Sequence, residues 1–297
     1  MGLGHMRDFS ALRDRFIEVG GANTRYLQRG DEGSPVVLIH GLGASAEIWS
    51  ANIGSLATRH RVYVPDLPGF GRTEKPEWMD YSPGAYSRFL LDFMTALGIG
   101  RAALVGHSLG GGVALRAILD DPGRVDRLIL LSSAGIGREV SLPLRIASLP
   151  FFDRIFFKPP LPVFTRFLHR LVFDPAAITA DFARLYYEMF FQPASVRAFT
   201  GILRTIATLR GARPGILEPI LAGLGTITAP TLILWGRQDR ILPVSQALDA
   251  AGRIPGARLH VFERCGHMPN VEYPEEFNRI VLDFLQEDRG PRHEERG

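Results

Sequence analysis

The sequence predicts an α/β fold: a mostly parallel, twisted sheet flanked by helices, with one helical segment inserted into it. Three observations carry that prediction. Short apolar runs alternate along the chain with stretches of helical periodicity, the pattern of parallel strands covered on both faces. The alternation breaks only once, between residues 136 and 225. There prolines, among them Pro143, Pro150, Pro159, Pro160 and Pro175, punctuate short helical pieces such as Asp181-Phe182-Ala183-Arg184-Leu185-Tyr186-Tyr187-Glu188. Finally, 297 residues with 46% apolar content suffice for one large core of this kind plus an insertion.

The elements follow in order. Residues 16–19 and 24–28 flank Gly20-Gly21-Ala22-Asn23, a turn signal that predicts an opening hairpin. Val36-Val37-Leu38-Ile39 reads as a buried strand, followed by a helix at about 45–57 and a strand through Val62-Tyr63-Val64. A helix over 84–97, a strand Ala102-Ala103-Leu104-Val105, a helix over 109–121 and a strand Arg127-Leu128-Ile129-Leu130-Leu131 complete the first part, residues 1–135. After the insertion, 136–225, the alternation resumes over 226–297. Pro230-Thr231-Leu232-Ile233-Leu234-Trp235 is the next strand, followed by a helix at 244–252, a strand Arg258-Leu259-His260-Val261-Phe262 and a helix at 274–287. That last helix starts on Pro274-Glu275-Glu276, with proline in its first turn and acids at its positive end. The polar residues 287–297 are expected to fray.

Within this frame Gly106-His107-Ser108-Leu109-Gly110 carries the most information. It joins an apolar strand to a helix, the setting a G-x-S-x-G turn needs to lift a serine hydroxyl clear of the sheet. The five-residue pattern alone is a weak signal, and its strand-to-helix context gives it weight. A nucleophilic serine requires a base and a carboxylate to orient that base. Asp239 follows the strand ending at Trp235, and His267 follows the strand ending at Phe262, so both lie beyond carboxyl ends of strands, where open α/β sheets build their sites. The chain order Ser, Asp, His resembles the α/β-hydrolase family. His40-Gly41-Leu42-Gly43 and Asp66-Leu67-Pro68-Gly69-Phe70-Gly71-Arg72-Thr73 are similar to two further motifs of that family. The resemblance spans roughly residues 15 to 287 and is weakest between about 137 and 225.

The resemblance implies an α/β-hydrolase fold with a helical cap at 136–225 and a catalytic triad of Ser108, Asp239 and His267. It also implies an oxyanion hole from the backbone N–H groups of Leu42 and Leu109, and no cofactor or metal. Phe151, Phe152 and Phe190 of the cap, with Met268 beside the histidine, are the expected substrate contacts. Acyl transfer from a small apolar ester to water through an acyl-enzyme is the expected reaction, as in esterases and lipases. A C–C hydrolase of meta-cleavage-type diketone acids is the alternative, since such enzymes share the serine triad and a helical cap. They usually place Asn before the nucleophile and Trp after the histidine, where this chain has His107 and Met268. Ser108 at the nucleophile position disfavours epoxide hydrolases and haloalkane dehalogenases, which carry Asp there. A ligand-binding protein that uses the same fold without turnover is the reading from another class.

Each site residue also has a plainer role open to it. Ser108 fits a helix N-cap, Asp239 a turn before Leu242-Pro243, and Cys265 a small buried hydrophobe rather than a nucleophile. His40 and His107 fit local hydrogen bonding. In the position after Leu131 that rivals Asp239, the chain has Ser132 and Ser133 instead of an acid.

Composition bounds the partners. The cap holds eleven of nineteen phenylalanines and eleven Lys/Arg against six Asp/Glu, while the whole chain sums to +3. A basic, aromatic cap fits anionic amphiphiles or contact with a lipid surface as well as a solvated face. No basic helix or zinc-finger spacing supports nucleic acid, and no H-x-x-H or paired-Cys pattern supports a metal. With no stretch of eighteen apolar residues, no membrane span is expected. One cysteine excludes an intrachain disulfide, and the expected location is cytoplasmic, as a monomer or homodimer.

Overall fold

The opening hairpin pairs β1 (Arg15–Val19) with β2 (Ala22–Arg29) through a two-residue turn at Gly20 and Gly21, so Ala22 and Asn23 belong to the second strand and not to the turn. The structure, a computed structural model, describes residues 13–77, 79–150, 152 and 158–287; the tail 288–297 lies outside them. β3 (Pro35–Ile39), β4 (Arg61–Pro65), β5 (Ala102–His107) and β6 (Val125–Leu131) follow. Between β6 and β9 (Thr231–Gly236) a two-residue hairpin, β7 (Ala207–Thr208) and β8 (Gly211–Ala212), stands apart from the main sheet. The sequence shows no strand in this segment, because two residues are too few for a period of two to register. β10 (Arg258–Phe262) completes the sheet, whose order is β1-β2-β4-β3-β5-β6-β9-β10. The strands from β4 to β10 in that order are all parallel, and β2 runs antiparallel to β4.

β5 has every residue buried, consistent with a strand covered on both faces by helices. Alternate residues feed separate cores: Leu104 packs with Val113 and Phe93 on one face, Ala103 and Val105 with Trp49 and Phe277 on the other. The predicted helix at 45–57 is a 3-10 turn, Ala46–Trp49, running into a helix Ser50–Leu56. The helix Pro83–Ala96 begins where Ser82 accepts a hydrogen bond from the Ala85 amide, with proline at its first position. Helices Leu109–Asp120, Ser245–Arg253 and Pro274–Gln286 lie within a residue or two of their expected bounds, and a short helix Pro269–Glu272 precedes the last. The segment between β6 and β9 carries helices Leu142–Ala147, Leu161–His169, Ala180–Phe190, Pro193–Ile206 and Pro214–Gly223.

The topology fixes where a site can form. From β3 the chain runs to β4 on one side and then to β5 on the other, so the sheet order reverses at the β3/β5 pair. Crevices at carboxyl ends open at such a switch point. In register, Ile39 lies opposite Gly106, which sets the loop after β3 directly beside Ser108.

Candidate active site

Ser108 has φ 53° and ψ −117°, a left-handed conformation that costs a side-chain-bearing residue on the order of 1–3 kcal/mol. The surroundings hold it there. Its N–H donates to the Leu131 carbonyl at 2.9 Å, and its own carbonyl accepts from the Ala134 and Gly111 amides at 2.9 and 3.0 Å. The turn is so tight that a Cβ on Gly106 would lie 2.3 Å from the Gly110 oxygen, and one on Gly110 would lie 2.4 Å from the Ile39 oxygen. The serine side chain makes no capping hydrogen bond to the helix it opens. Ser108 lines a cavity instead, on whose wall His267 also lies.

His267 Nδ1 lies 2.7 Å from Asp239 Oδ2, and both side chains are buried. The other carboxylate oxygen of Asp239 accepts the amides of Ile241 and Leu242 at 2.8 and 3.0 Å, so the acid is fixed by its own loop. A carboxylate only accepts, which places the imidazole proton on Nδ1 and leaves Nε2 free to take one. Two backbone contacts seat the ring's loop. The His267 amide donates to the Leu171 carbonyl at 2.6 Å, and His107 Nε2 donates to the His267 carbonyl at 2.8 Å. The latter bond fixes His107 as the Nε2–H tautomer. Burial, with His267 close by, pushes the His107 pKa down to about 3, so this imidazole is neutral at physiological pH.

Leu109 is the first residue of its helix, where an N–H has no intrahelical acceptor. Leu42 and Leu109 both border the space next to Ser108. The loop holding Leu42 is braced from behind. His40 donates from Nδ1 to the Gly41 carbonyl at 2.8 Å and accepts the Leu67 amide on Nε2 at 2.9 Å; burial lowers its pKa and keeps it neutral. Asp66, fully buried, accepts the Ala46 and Arg72 amides at 2.7 and 2.8 Å and pairs with the buried Arg25, which also holds Glu47 at 2.8 Å. The loops after β3 and β4 are thereby tied to one ion cluster.

Two cavities meet at Ser108. One is walled by Val140, Leu144, Ile202, Ile206, Ile216 and Ile220, the other by Phe164, Phe167, Leu171, Phe199 and two of the expected contacts, Phe190 and Met268. Among the described residues no Lys, Arg, Asp or Glu lines either one. Phe152 is half-buried and lies outside the described lining of both cavities, while Phe151 lies outside the described residues. Composition counted the phenylalanines of this segment but not their directions. Phe164 with Leu168 and Ala198 with Ile202, each pair four apart and buried, are the periodic signal that marks the inward faces. Cys265 is buried, its thiol 3.5 Å from Glu272 Oε1; burial and that carboxylate raise its pKa, so it stays protonated. Among the described residues no cluster of His, Cys, Asp and Glu could hold a metal ion.

A family model for the α/β hydrolase fold matches residues 34–274, and the chain belongs to that family. It is 32% identical over 273 residues to a 2-hydroxy-6-oxo-6-phenylhexa-2,4-dienoate hydrolase of Burkholderia cepacia, covering 90% of this chain and 93% of that protein. Among solved structures it is similar to the meta-cleavage product hydrolase of Pseudomonas fluorescens IP01, at 33% identity and TM-score 0.78, covering 91% of this chain and 97% of the other. A membrane phospholipase A is also similar, at 27% identity and TM-score 0.76 over 94% of this chain and 87% of that one.

Proposed function

We propose that this chain is a serine hydrolase that cleaves a C–C bond next to a carbonyl, as its meta-cleavage relatives do. The reading rests on His267, paired with the buried Asp239, lining one cavity with Ser108 on its strained turn, in a chain similar over about nine-tenths of its length to such hydrolases. Ser108 Oγ bonds to the carbonyl carbon while His267 Nε2 takes its proton, and Asp239 orients and stabilises the charged imidazole. The N–H groups of Leu42 and Leu109 receive the oxyanion. Collapse of the tetrahedral adduct breaks the C–C bond, its electron pair leaves with a carbon fragment conjugated to accept it, and His267 protonates that fragment. Water, deprotonated by His267, then releases the acyl group from Ser108. Residues 136–225 serve as the cap, and Phe190 and Met268 contact the substrate's apolar part.

Ester hydrolysis is the second reading, and one observation favours it. The dienoate that the Burkholderia relative is named for carries a carboxylate, and neither cavity here presents a cation among its described lining residues. The similarity to a phospholipase agrees with it. Wild type and Ser108→Ala, each offered 2-hydroxy-6-oxo-6-phenylhexa-2,4-dienoate and a series of p-nitrophenyl esters, separate the two. Loss of the dienoate chromophore with wild type only supports C–C cleavage; turnover of esters alone supports the esterase. Neither turnover nor capture of a fluorophosphonate by Ser108 would leave the ligand-binding reading.

A further inference from the structure

Of the nine exposed large apolar side chains among the described residues, seven lie between residues 136 and 225. Four of them belong to one corner. Leu142 (54% exposed), Ile146 (41%) and Leu149 (38%) follow each other at spacings of four and three, one face of the helix Leu142–Ala147 and its end, and Leu209 (51%) tops the β7–β8 hairpin. The helix packs against β7 and against the helix Pro193–Ile206. Between residues 138 and 150 and between 204 and 213, these elements carry five arginines and one acid, Glu139. Among the described residues Arg138, Arg145 and Arg210 form no ion pair, and Arg145 Nε is buried without a hydrogen-bond partner.

The inner side of the same elements faces the catalytic cavities. Leu144 lines both, and Ala207 and Ala212 line one. The aromatic cavity is also lined by Phe167, 39% exposed, on a second helix, Leu161–His169, whose exposed residues include Val163 and Arg166, with Arg170 just past its end. Only one layer of helix therefore separates an apolar, arginine-studded surface from the space above Ser108.

We propose that this corner is a docking surface for an anionic lipid bilayer, with the apolar residues entering the interface and the arginines meeting lipid phosphates. A helix apolar on its outward face, as well as its inward one, loses free energy to water unless something covers it. Arg138, Arg145 and Arg210 against one acid, Glu139, select a negatively charged cover, and arginines set among exposed Leu and Ile are the arrangement that binds acidic headgroups. Docking there would bring the cavity mouth to the bilayer, so an apolar substrate could pass from lipid to Ser108 without crossing water. The proposal is independent of which bond the enzyme cleaves.

Co-sedimentation of the full chain with phosphatidylcholine vesicles, and with vesicles of equal parts phosphatidylcholine and phosphatidylglycerol, tests it. The expected result is binding to the anionic vesicles only, weakened by salt. Arg145→Gln with Arg210→Gln should lower the partition coefficient about 30-fold, from roughly one favourable contact energy per charge. Leu142→Ser with Ile146→Ser should abolish binding. Both variants should retain wild-type fluorophosphonate labelling of Ser108 in the absence of vesicles, which shows them folded. Equal binding to both vesicle types, wild-type binding by either labelled variant, or a salt-stable dimer lost on Leu142→Ser would overturn the proposal, the last by showing that a second copy covers the face.

Discussion

Replacing His107 by glutamine should make the fold less sensitive to acid. The native imidazole titrates at about 3 because burial, with His267 beside it, opposes its charge, against an ordinary value of 6.5 in the unfolded chain. Between those values the unfolded state binds a proton that the native state refuses. The stability associated with neutral His107 is therefore complete above 6.5 and is lost as pH falls towards 3. Going from about pH 7.5 to about pH 4.5, this one group should cost about 3 kcal/mol. Glutamine carries an N–H at the position of the imidazole Nε2, so it can keep the bond to the His267 carbonyl without titrating. His40 and His60, whose pKa values burial also lowers, are present in both proteins and cancel in the difference. Urea unfolding of wild type and His107→Gln at the two pH values reads the effect directly. If the two proteins lose stability in parallel, His107 is not held neutral by its burial.

Asp239→Asn should leave the thermal midpoint nearly unchanged, because an amide oxygen can still accept the Ile241 and Leu242 N–H groups. It should nonetheless lower kcat about 10⁴-fold by permitting the wrong tautomer of His267, as steady-state rates would show. Ser108→Gly should be more stable than Ser108→Ala by about 1–2 kcal/mol, since glycine relieves the positive φ and alanine does not; a pair of melting curves decides it. Gly110→Ala should cost about 3 kcal/mol or more, because its Cβ would meet the Ile39 and His40 carbonyl oxygens at 2.4 and 2.6 Å, and neither backbone group can step aside. Near-normal expression and stability of that variant would contradict the geometry of the turn.

The sequence alone determined a mostly parallel sheet and the order of the three polar residues, while the switch point beside β3 and β5 came from the strand order of the folded sheet. Strands buried on both faces must be continuously apolar, and a turn as tight as that at Ser108 admits little but glycine two residues before and two residues after it. Both constraints are local, so they are written in short motifs at β3, β5, β9 and β10. Tertiary structure alone decided what the intervening segment does. Whether Phe152 or Phe164 faces Ser108 depends on how short helices between prolines are rotated against one another, and that rotation is set by contacts across the chain, such as Leu171 with His267. The β7–β8 hairpin is too short to leave a period. His107 illustrates the same division: its place beside the serine is visible in the motif, but its neutrality follows from burial against a carbonyl 160 residues away, an environment that no local pattern encodes.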